Sequence, residues 1–386
     1  MFRIFSPSNI IRLYKEYHMT LLEDVTQKSK EIHTDGYPMS IGEIASLYKD
    51  KELDIHPEFQ RIFRWNILQK SKLIESILLG IPIPSIFVSQ REDGVWDVVD
   101  GLQRLSTIFE FMGILRDEKE DLIEGSTLVA TPHLPTLDNK RWNSDDKNNE
   151  LDNSLKIEFK RVKIDIKIVK KQSDKNVKYE LFQRINTLGS RLSDQEVRNC
   201  LLIMVNKDFY YWLKELANQS SFIESLSLAE RLIDEQYHME LAIRFFIYKN
   251  INLDEIKGVY DLADFVTKKM IEFAGSETFD LAKESQVFRK TFEFINATIG
   301  DDAFKRYNTD KNLFQGKFLL SMFECVAVGI GKNMSSRDLT FSTEIIREKA
   351  SKLWSNPDFK AKTGSGISVS SRLPVLIPMG EDLFKP

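Results

Sequence analysis

The sequence predicts an α+β fold, in which an N-terminal unit with a small sheet is followed by a mainly α-helical C-terminal domain. Two short apolar runs, "SIFVSQ" and "VWDVVD", flank the turn "REDG" and predict a hairpin. The segment "RVKIDIKIV" alternates apolar and polar residues, as a half-buried strand does. After about residue 205 nearly every segment has the apolar spacing of an amphipathic helix. We therefore expect an N-terminal extension over residues 1–37, a first domain over 38–204 and a helical domain over 205–386.

The composition excludes several classes of protein. The chain has 386 residues, of which 42% are hydrophobic and 29% charged, as in folded globular proteins. It has no uncharged apolar run of about 18 residues and no uninterrupted apolar stretch at its start, so we expect neither a membrane span nor a signal peptide. The two cysteines, Cys200 and Cys325, lie far apart and are typical of free thiols in the cytoplasm. The net charge of −4 argues against a globally basic surface but leaves a local basic groove open.

The elements of the first domain follow from local patterns. "SIGEIASLYKD", residues 40–50, predicts a helix that Ser40 caps. "ILQKSKLIESILLG" predicts a second helix that ends at Gly80, and "IPIP" then forces extended backbone before the hairpin. Residues 114–155 have weak periodicity, and we expect variable surface with short helical turns. Near the C-terminus, "TGSGISVSSRLPVLIP" predicts a Gly/Ser-rich loop followed by an extended segment.

The stretch "VWDVVDGLQRLSTIFEFMG", residues 95–113, predicts a strand, a tight turn and a helix. The first N–H groups of a helix lack intrahelical acceptors, and the helix dipole adds positive charge there. Gly101 lets an oxyanion approach the backbone, while Gln103 and Arg104 suit phosphate oxygens. Asp100 fits a helix cap or a metal ligand. The same residues also fit an ordinary corner, with Asp100 as a plain N-cap and Arg104 in solvent.

Two further segments repeat a Gln-Arg pair beside other polar or aromatic residues. "FQRIFRW" contains Gln60 and Arg61 next to two Phe and one Trp, which provide cations and stacking faces, although the aromatic residues also fit a core. "LFQRINTLGSRLSDQE" contains Arg184, Asn186 and Thr187 in a loop between two helices. This loop could form a second wall of a pocket, or it could be an ordinary connection between two helices.

In this order, the segments resemble the N-terminal domain family of the GmrSD-type restriction endonucleases, which is related to the ParB/sulfiredoxin-like fold. The family pattern is QR-x-F/Y-x-W, G-x-P-x-P, D-G-Q-Q-R-L and F-x-R-I/L-N-T-x-G-x-x-L-S-x-x-E. The matching residues here are Gln60, Arg61, Phe63, Trp65, Gly80, Pro82, Pro84, Asp100, Gly101, Gln103, Arg104, Phe182, Arg184, Asn186, Thr187, Gly189, Leu192, Ser193 and Glu196. The resemblance covers roughly residues 38–205. Leu102 departs from the family pattern, which has Gln there, but the phosphate-facing residues are kept.

The resemblance implies a protein that binds an NTP, with hydrolysis left open, and that acts on or senses DNA in a restriction or phage-defence system. It implies Mg²⁺ as the accompanying metal, with Asp100 as its ligand, and catalytic roles for Asp100, Gln103 and Arg104. The implied nucleotide-binding residues are Gln60, Arg61, Gly101, Gln103, Arg104, Arg184, Asn186 and Thr187. Many relatives carry an HNH nuclease domain, which needs clustered histidines. Because none of the five histidines lies beyond residue 238, we expect a stand-alone member without that domain.

Two other functions stay open at this point. The first is a metal-dependent endonuclease of the ParB-like type, in which Asp100 and nearby carboxylates such as Glu75 hold the metal. The second is a non-catalytic adaptor, whose helical half binds a partner nuclease or modification enzyme. All three hypotheses expect nucleic acid or a nucleic-acid enzyme as partner, and none expects a membrane.

Overall fold

The computed structural model describes residues 20–22, 25, 33–55, 65–117, 119–171, 194–336, 343–364 and 366–385. The chain divides into two compact units, Met1–Arg191 and Leu192–Pro386. A mixed sheet with four helices makes up the described part of the first unit, and the second unit is mainly helical. The predicted α+β class is therefore confirmed, whereas the exact predicted domain limits stay a prediction.

Five strands form the sheet of the first unit, in the spatial order β1-β5-β3-β4-β2. These strands are β1 (Thr34–Ser40), β2 (Leu53–Asp54), β3 (Ile86–Gln90), β4 (Trp96–Asp100) and β5 (Lys163–Val169). Strands β3 and β4 form the predicted antiparallel hairpin. Strand β5 is the predicted alternating strand, antiparallel to β1 and parallel to β3. The hairpin therefore lies inside the sheet, where neighbouring strands fix its position.

Four helices accompany the sheet, namely α1 (Ile41–Lys49), α2 (Ile67–Leu78), α3 (Leu102–Phe111) and α4 (Asn153–Arg161). As predicted, Ser40 caps α1, because its Oγ accepts a hydrogen bond from the Glu43 N–H at 3.1 Å. The start of α2 has a capping box between Asn66 and Gln69, which the sequence patterns do not predict. Among its described residues, the irregular chain after α3 contains one short 3₁₀ turn, Pro135–Leu137, in agreement with the weak periodicity of that region.

The core of the first unit lies between one face of the sheet and the helices. Ile164, Ile166 and Ile168 of β5 point to this face, because alternate residues of a strand share a face. Apolar side chains from all four helices pack in the same cluster, among them Ile44, Ile74, Ile108 and Phe159. The opposite face of β5 is left with exposed polar side chains.

The second unit contains eleven described helices and one small hairpin. The helices are α5 (Asp194–Val205), α6 (Lys207–Ala217), α7 (Ser220–Leu226), α8 (Glu230–Asp234), α9 (Tyr237–Asn250), α10 (Leu262–Ala274), α11 (Leu281–Thr298), α12 (Leu320–Met322, continued by the π turn Phe323–Ala327 and by Val328–Ser336), α13 (Thr343–Lys352), α14 (Pro357–Ala361) and α15 (Val369–Leu383). The hairpin consists of β6 (Arg306–Asn308) and β7 (Leu313–Gln315). Short 3₁₀ turns connect some of these elements: Leu253–Ile256, Gly300–Asp302 and Leu353–Ser355.

The prediction of an extended segment near the C-terminus is wrong, because α15 is a helix with Pro374 and Pro378 inside it. Burial outweighs the helix-breaking tendency of proline here: Leu373, Leu376 and Ile377 are fully buried at helical spacing. A Cβ atom on Gly380 would lie 1.9 Å from the Cys325 carbonyl oxygen. Glycine therefore allows α15 to pack directly on the π turn of α12. No helix among the described residues is long and apolar enough to cross a membrane.

Candidate functional site

Strand β4 contains a bulge just before the predicted phosphate-binding turn. Val88 of β3 pairs with Val98 of β4, but Phe87 pairs with Asp100, so Val99 is an extra residue in β4. A bulge of this kind bends its strand and re-aims the side chains that follow. The bulge therefore influences the direction of the Asp100 side chain, which lies where β4 leads into helix α3.

Gly101 is the N-cap residue of α3 and has a left-handed backbone, with φ of 101°. A side chain there would be strained, and its Cβ atom would lie 2.9 Å from Cδ1 of Ile86. Asp100 is therefore not the N-cap, contrary to the ordinary-corner interpretation, and the N-cap residue provides no side-chain hydrogen bond to the helix. The first turn of α3 thus begins with backbone N–H groups that its N-cap side chain does not satisfy.

Arg104, in the first turn of α3, lies against the protein and not in solvent, since only 12% of its side chain is exposed. Its guanidinium donates a hydrogen bond to the Asp100 carboxylate at 2.7 Å and another to the Ser85 carbonyl at 3.1 Å. It also donates to the carbonyl of Pro84. Arg104 thereby joins the chain entering β3, the end of β4 and the start of α3.

Gln103 connects the turn to the segment that precedes α2. Its Oε1 accepts a hydrogen bond from the Trp65 N–H at 3.2 Å. Trp65 is the last residue of "FQRIFRW" and packs against the core of the first unit. The structure therefore brings the end of this second segment to the Asp-Gly turn, although the two residues lie 38 positions apart.

Five predicted site residues lie outside the described residues, namely Gln60, Arg61, Arg184, Asn186 and Thr187. The other four, Asp100, Gly101, Gln103 and Arg104, occupy one corner of the first unit. Sequence reasoning missed the carbonyl groups of Pro84 and Ser85 as partners of this corner. The only signal was the "IPIP" stretch, because backbone carbonyls leave no side-chain pattern in a sequence.

The role of Asp100 as a Mg²⁺ ligand stays a prediction. Within the described ranges, no group of three or more His, Cys, Asp or Glu side chains lies close enough to hold a metal ion. The Asp100 carboxylate is ion-paired with Arg104, so a metal ion at Asp100 would need further ligands, such as nucleotide phosphates.

Glu75, the other carboxylate of the nuclease hypothesis, is hydrogen-bonded to the irregular chain that follows α3. It accepts hydrogen bonds from the N–H groups of His133 at 2.9 Å and Leu134 at 3.0 Å. A hydrogen bond with the Thr131 side chain and these two backbone bonds lower the pKa of Glu75 below its ordinary value. Its carboxylate therefore anchors a loop, and we assign it no role as a metal ligand.

Comparison with known proteins agrees with the resemblance seen in the motifs. Residues 42–203 match the family model of the GmrSD restriction endonuclease N-terminal domain. This part of the chain is similar to a GmrSD-type N-terminal domain. The match begins in α1, includes the Asp-Gly corner and both Gln-Arg segments, and ends inside α5. No curated protein and no solved structure matches the chain. This similarity indicates a role in restriction or phage defence.

Proposed function

We propose that the chain binds the phosphates of an NTP at the corner formed by Asp100, Gly101, Gln103 and Arg104, and that it acts on or senses DNA in a restriction or phage-defence system. The observation that carries the nucleotide part is the start of α3, a ten-residue helix whose glycine N-cap gives no side-chain hydrogen bond. Such a helix end offers N–H groups and partial positive charge to an anion. The similarity to a GmrSD-type domain carries the DNA-related part.

Each residue of the corner has a role that fits its contacts. Gly101 provides the left-handed turn that directs the helix N-terminus, and Gln103 joins the turn to the chain at Trp65. Arg104 adds positive charge and holds the carboxylate of Asp100 in one orientation. The side chain of Asp100 is 31% exposed and can reach solvent. If the bound nucleotide is hydrolysed, we propose that Asp100 orients the attacking water.

The predicted residues outside the described ranges complete this proposal. Gln60 and Arg61 precede Trp65 by only a few positions, and Trp65 is hydrogen-bonded to Gln103. We therefore propose that they close the site from that side, with Arg184, Asn186 and Thr187 opposite. NTP is the proposed ligand, and Mg²⁺ is the proposed accompanying metal, which Asp100 would hold together with the nucleotide phosphates.

The decisive variant is Arg104→Ala, tested for binding of fluorescent ATP and GTP analogues and for phosphate release. Loss of the cation at the corner should weaken binding about tenfold. Arg141→Ala is the matched control, because the Arg141 guanidinium also joins a carboxylate, of Glu124, to a backbone carbonyl, of Gly125. Thermal unfolding of both variants shows whether a loss of binding reflects a loss of folding.

A second variant separates binding from hydrolysis. Asp100→Asn keeps a polar side chain beside Arg104 but removes the negative charge, so nucleotide binding should persist while any phosphate release falls.

Nucleotide affinity equal to wild type in Arg104→Ala would contradict the site assignment. The absence of NTP binding by the wild-type chain would overturn the nucleotide part of the proposal.

A further inference from the structure

Four exposed cations follow one another closely along α4 and β5, namely Lys160, Arg161, Lys163 and Lys167, and we call them the basic strip. The first two end helix α4, and the other two lie on strand β5. All four are exposed, and none forms an ion pair with another described residue. The strip is therefore a local concentration of positive charge in a chain whose net charge is −4.

Strand β5 directs its two lysines away from the core. Lys163 and Lys167 alternate with the buried residues Ile164 and Ile166, so they lie on the open face of the sheet. Four residues of strand separate them by about 13 Å. The strip therefore extends along the surface and is not a single point of charge.

The neighbouring edge strand leaves these lysines uncovered. Strand β1 places Ser40 opposite Lys163 and Gly36 opposite Lys167, and both partners are small. A Cβ atom on Gly36 would lie 2.9 Å from Cδ of Lys167, so the lysine stem runs across the glycine. The small residues of β1 thus give the long side chains room to reach a ligand.

The unpaired state of the strip differs from the use of other lysines in the same unit. Lys70 pairs with Glu110 at 2.6 Å, and the largely buried Lys156 pairs with Glu150 at 2.6 Å. Close cations without partners repel one another and do not stabilise the fold. Asp165 lies between the two strand lysines, is exposed, and forms no ion pair with either of them.

We propose that the basic strip binds the phosphate backbone of duplex DNA. The distance of about 13 Å between Lys163 and Lys167 corresponds to about four nucleotide steps of one DNA strand, which rises about 3.4 Å per step along the helix axis. Lysine contacts of this kind position a protein on DNA without reading its sequence. The inference rests on the DNA-related part of the proposed function and is independent of the nucleotide corner.

The test measures binding of the full chain to a fluorescent DNA duplex of about 20 base pairs by anisotropy, over a series of salt concentrations. The double variant Lys163→Glu and Lys167→Glu should weaken binding about tenfold and reduce the salt-dependence slope by about 2. Lys311→Glu and Lys317→Glu, two exposed lysines of the second unit, form the matched control with the same change of net charge. This control should retain wild-type affinity and slope.

The variant Asp165→Asn tests the sign of the effect. Removal of the one negative charge between Lys163 and Lys167 should strengthen DNA binding at low salt, whereas a merely structural role of the strip predicts no gain. A parallel measurement with anionic phospholipid vesicles asks whether the strip serves a membrane instead. Loss of vesicle binding with unchanged DNA binding in the double variant would overturn the proposal.

The failure of this inference can be distinguished from that of the proposed function. Wild-type DNA affinity in the Lys163→Glu, Lys167→Glu variant would overturn the strip alone, because DNA binding would persist elsewhere on the chain. Absence of DNA binding by the wild-type chain would overturn the inference and the DNA-related part together. Nucleotide binding, measured on the same samples, should not respond to the strip variants and should respond to Arg104→Ala.

Discussion

The buried charges of the second unit and the exposed basic strip of the first unit differ in whether they have partners. In the second unit, charges that are removed from water are paired: Glu324 is fully buried and receives two hydrogen bonds from the Arg372 guanidinium, at 2.6 and 2.8 Å. Lys249 and Glu284, also buried, lie 3.0 Å apart. In the first unit, the basic strip is exposed and unpaired, and the start of α3 has no side-chain cap from Gly101. The first unit also has charge pairs that hold its fold, such as Lys70 with Glu110, so the contrast is between paired charges of either unit and the exposed strip.

The largest effect should come from breaking the buried pair of the second unit. Glu324→Ala leaves the Arg372 guanidinium without its carboxylate, and removal of one partner of a buried ion pair costs about 3–5 kcal/mol. Urea unfolding followed by circular dichroism measures this loss. Lys385→Ala, which removes an exposed pair with Asp382, is the control and should leave the unfolding free energy close to that of the wild type.

Replacement of both partners sharpens the same comparison. The double variant Glu324→Leu and Arg372→Met removes the charges together and should recover much of the stability lost in Glu324→Ala. Recovery would show that the pair is retained at a cost and is not a source of net stability. A loss below about 1 kcal/mol in Glu324→Ala would show that the pair does not hold α15 to the π turn of α12.

Acid should destabilise the second unit through His238. This side chain is buried in α9, and its Nδ1 has no hydrogen-bond partner among the described residues. Burial lowers the pKa of His238 from 6.5 to about 4. Between pH 6.5 and about 4, His238 binds a proton in the unfolded chain but not in the folded chain. The free energy of unfolding is therefore highest above pH 6.5 and decreases as the pH falls towards about 4.

Over that whole window the loss amounts to about 3 kcal/mol. Urea unfolding at several pH values between 7.5 and 4.5 measures it, and His238→Gln, which does not titrate, is the comparison. The variant should lose less stability than the wild type as the pH falls. Identical pH profiles for the two proteins would show that His238 does not control acid stability.

The corner at Asp100 shows how much of the site the sequence predicts. The hairpin, the start of α3 and the special backbone at Gly101 follow from a local pattern of strand, Asp-Gly and helix. The direction of Arg104 does not, because its partners include the carbonyl groups of Pro84 and Ser85, about 20 positions away. A sequence specifies every side chain, but it does not indicate which backbone carbonyl groups accept hydrogen bonds from them.

The second unit shows why longer-range features escape prediction. Glu324 and Arg372 lie 48 positions apart, so no helical spacing connects them. The two prolines of α15 indicated an extended chain, but the packing of Leu373, Leu376 and Ile377 in the core decided for a helix. The sequence shows the lysines of β5, but only the structure shows that they form no ion pair with the described residues.

The smallest effect on stability should come from the basic strip. Lys163→Ala and Lys167→Ala remove two exposed cations that form no ion pair with described residues, so the unfolding free energy should change by less than about 0.5 kcal/mol. The same urea titration used for Glu324→Ala measures this change. A loss above about 1 kcal/mol would show that the strip contributes to folding after all. Unchanged stability together with weaker DNA binding would show that these cations serve a ligand, in contrast to the paired charges of the second unit.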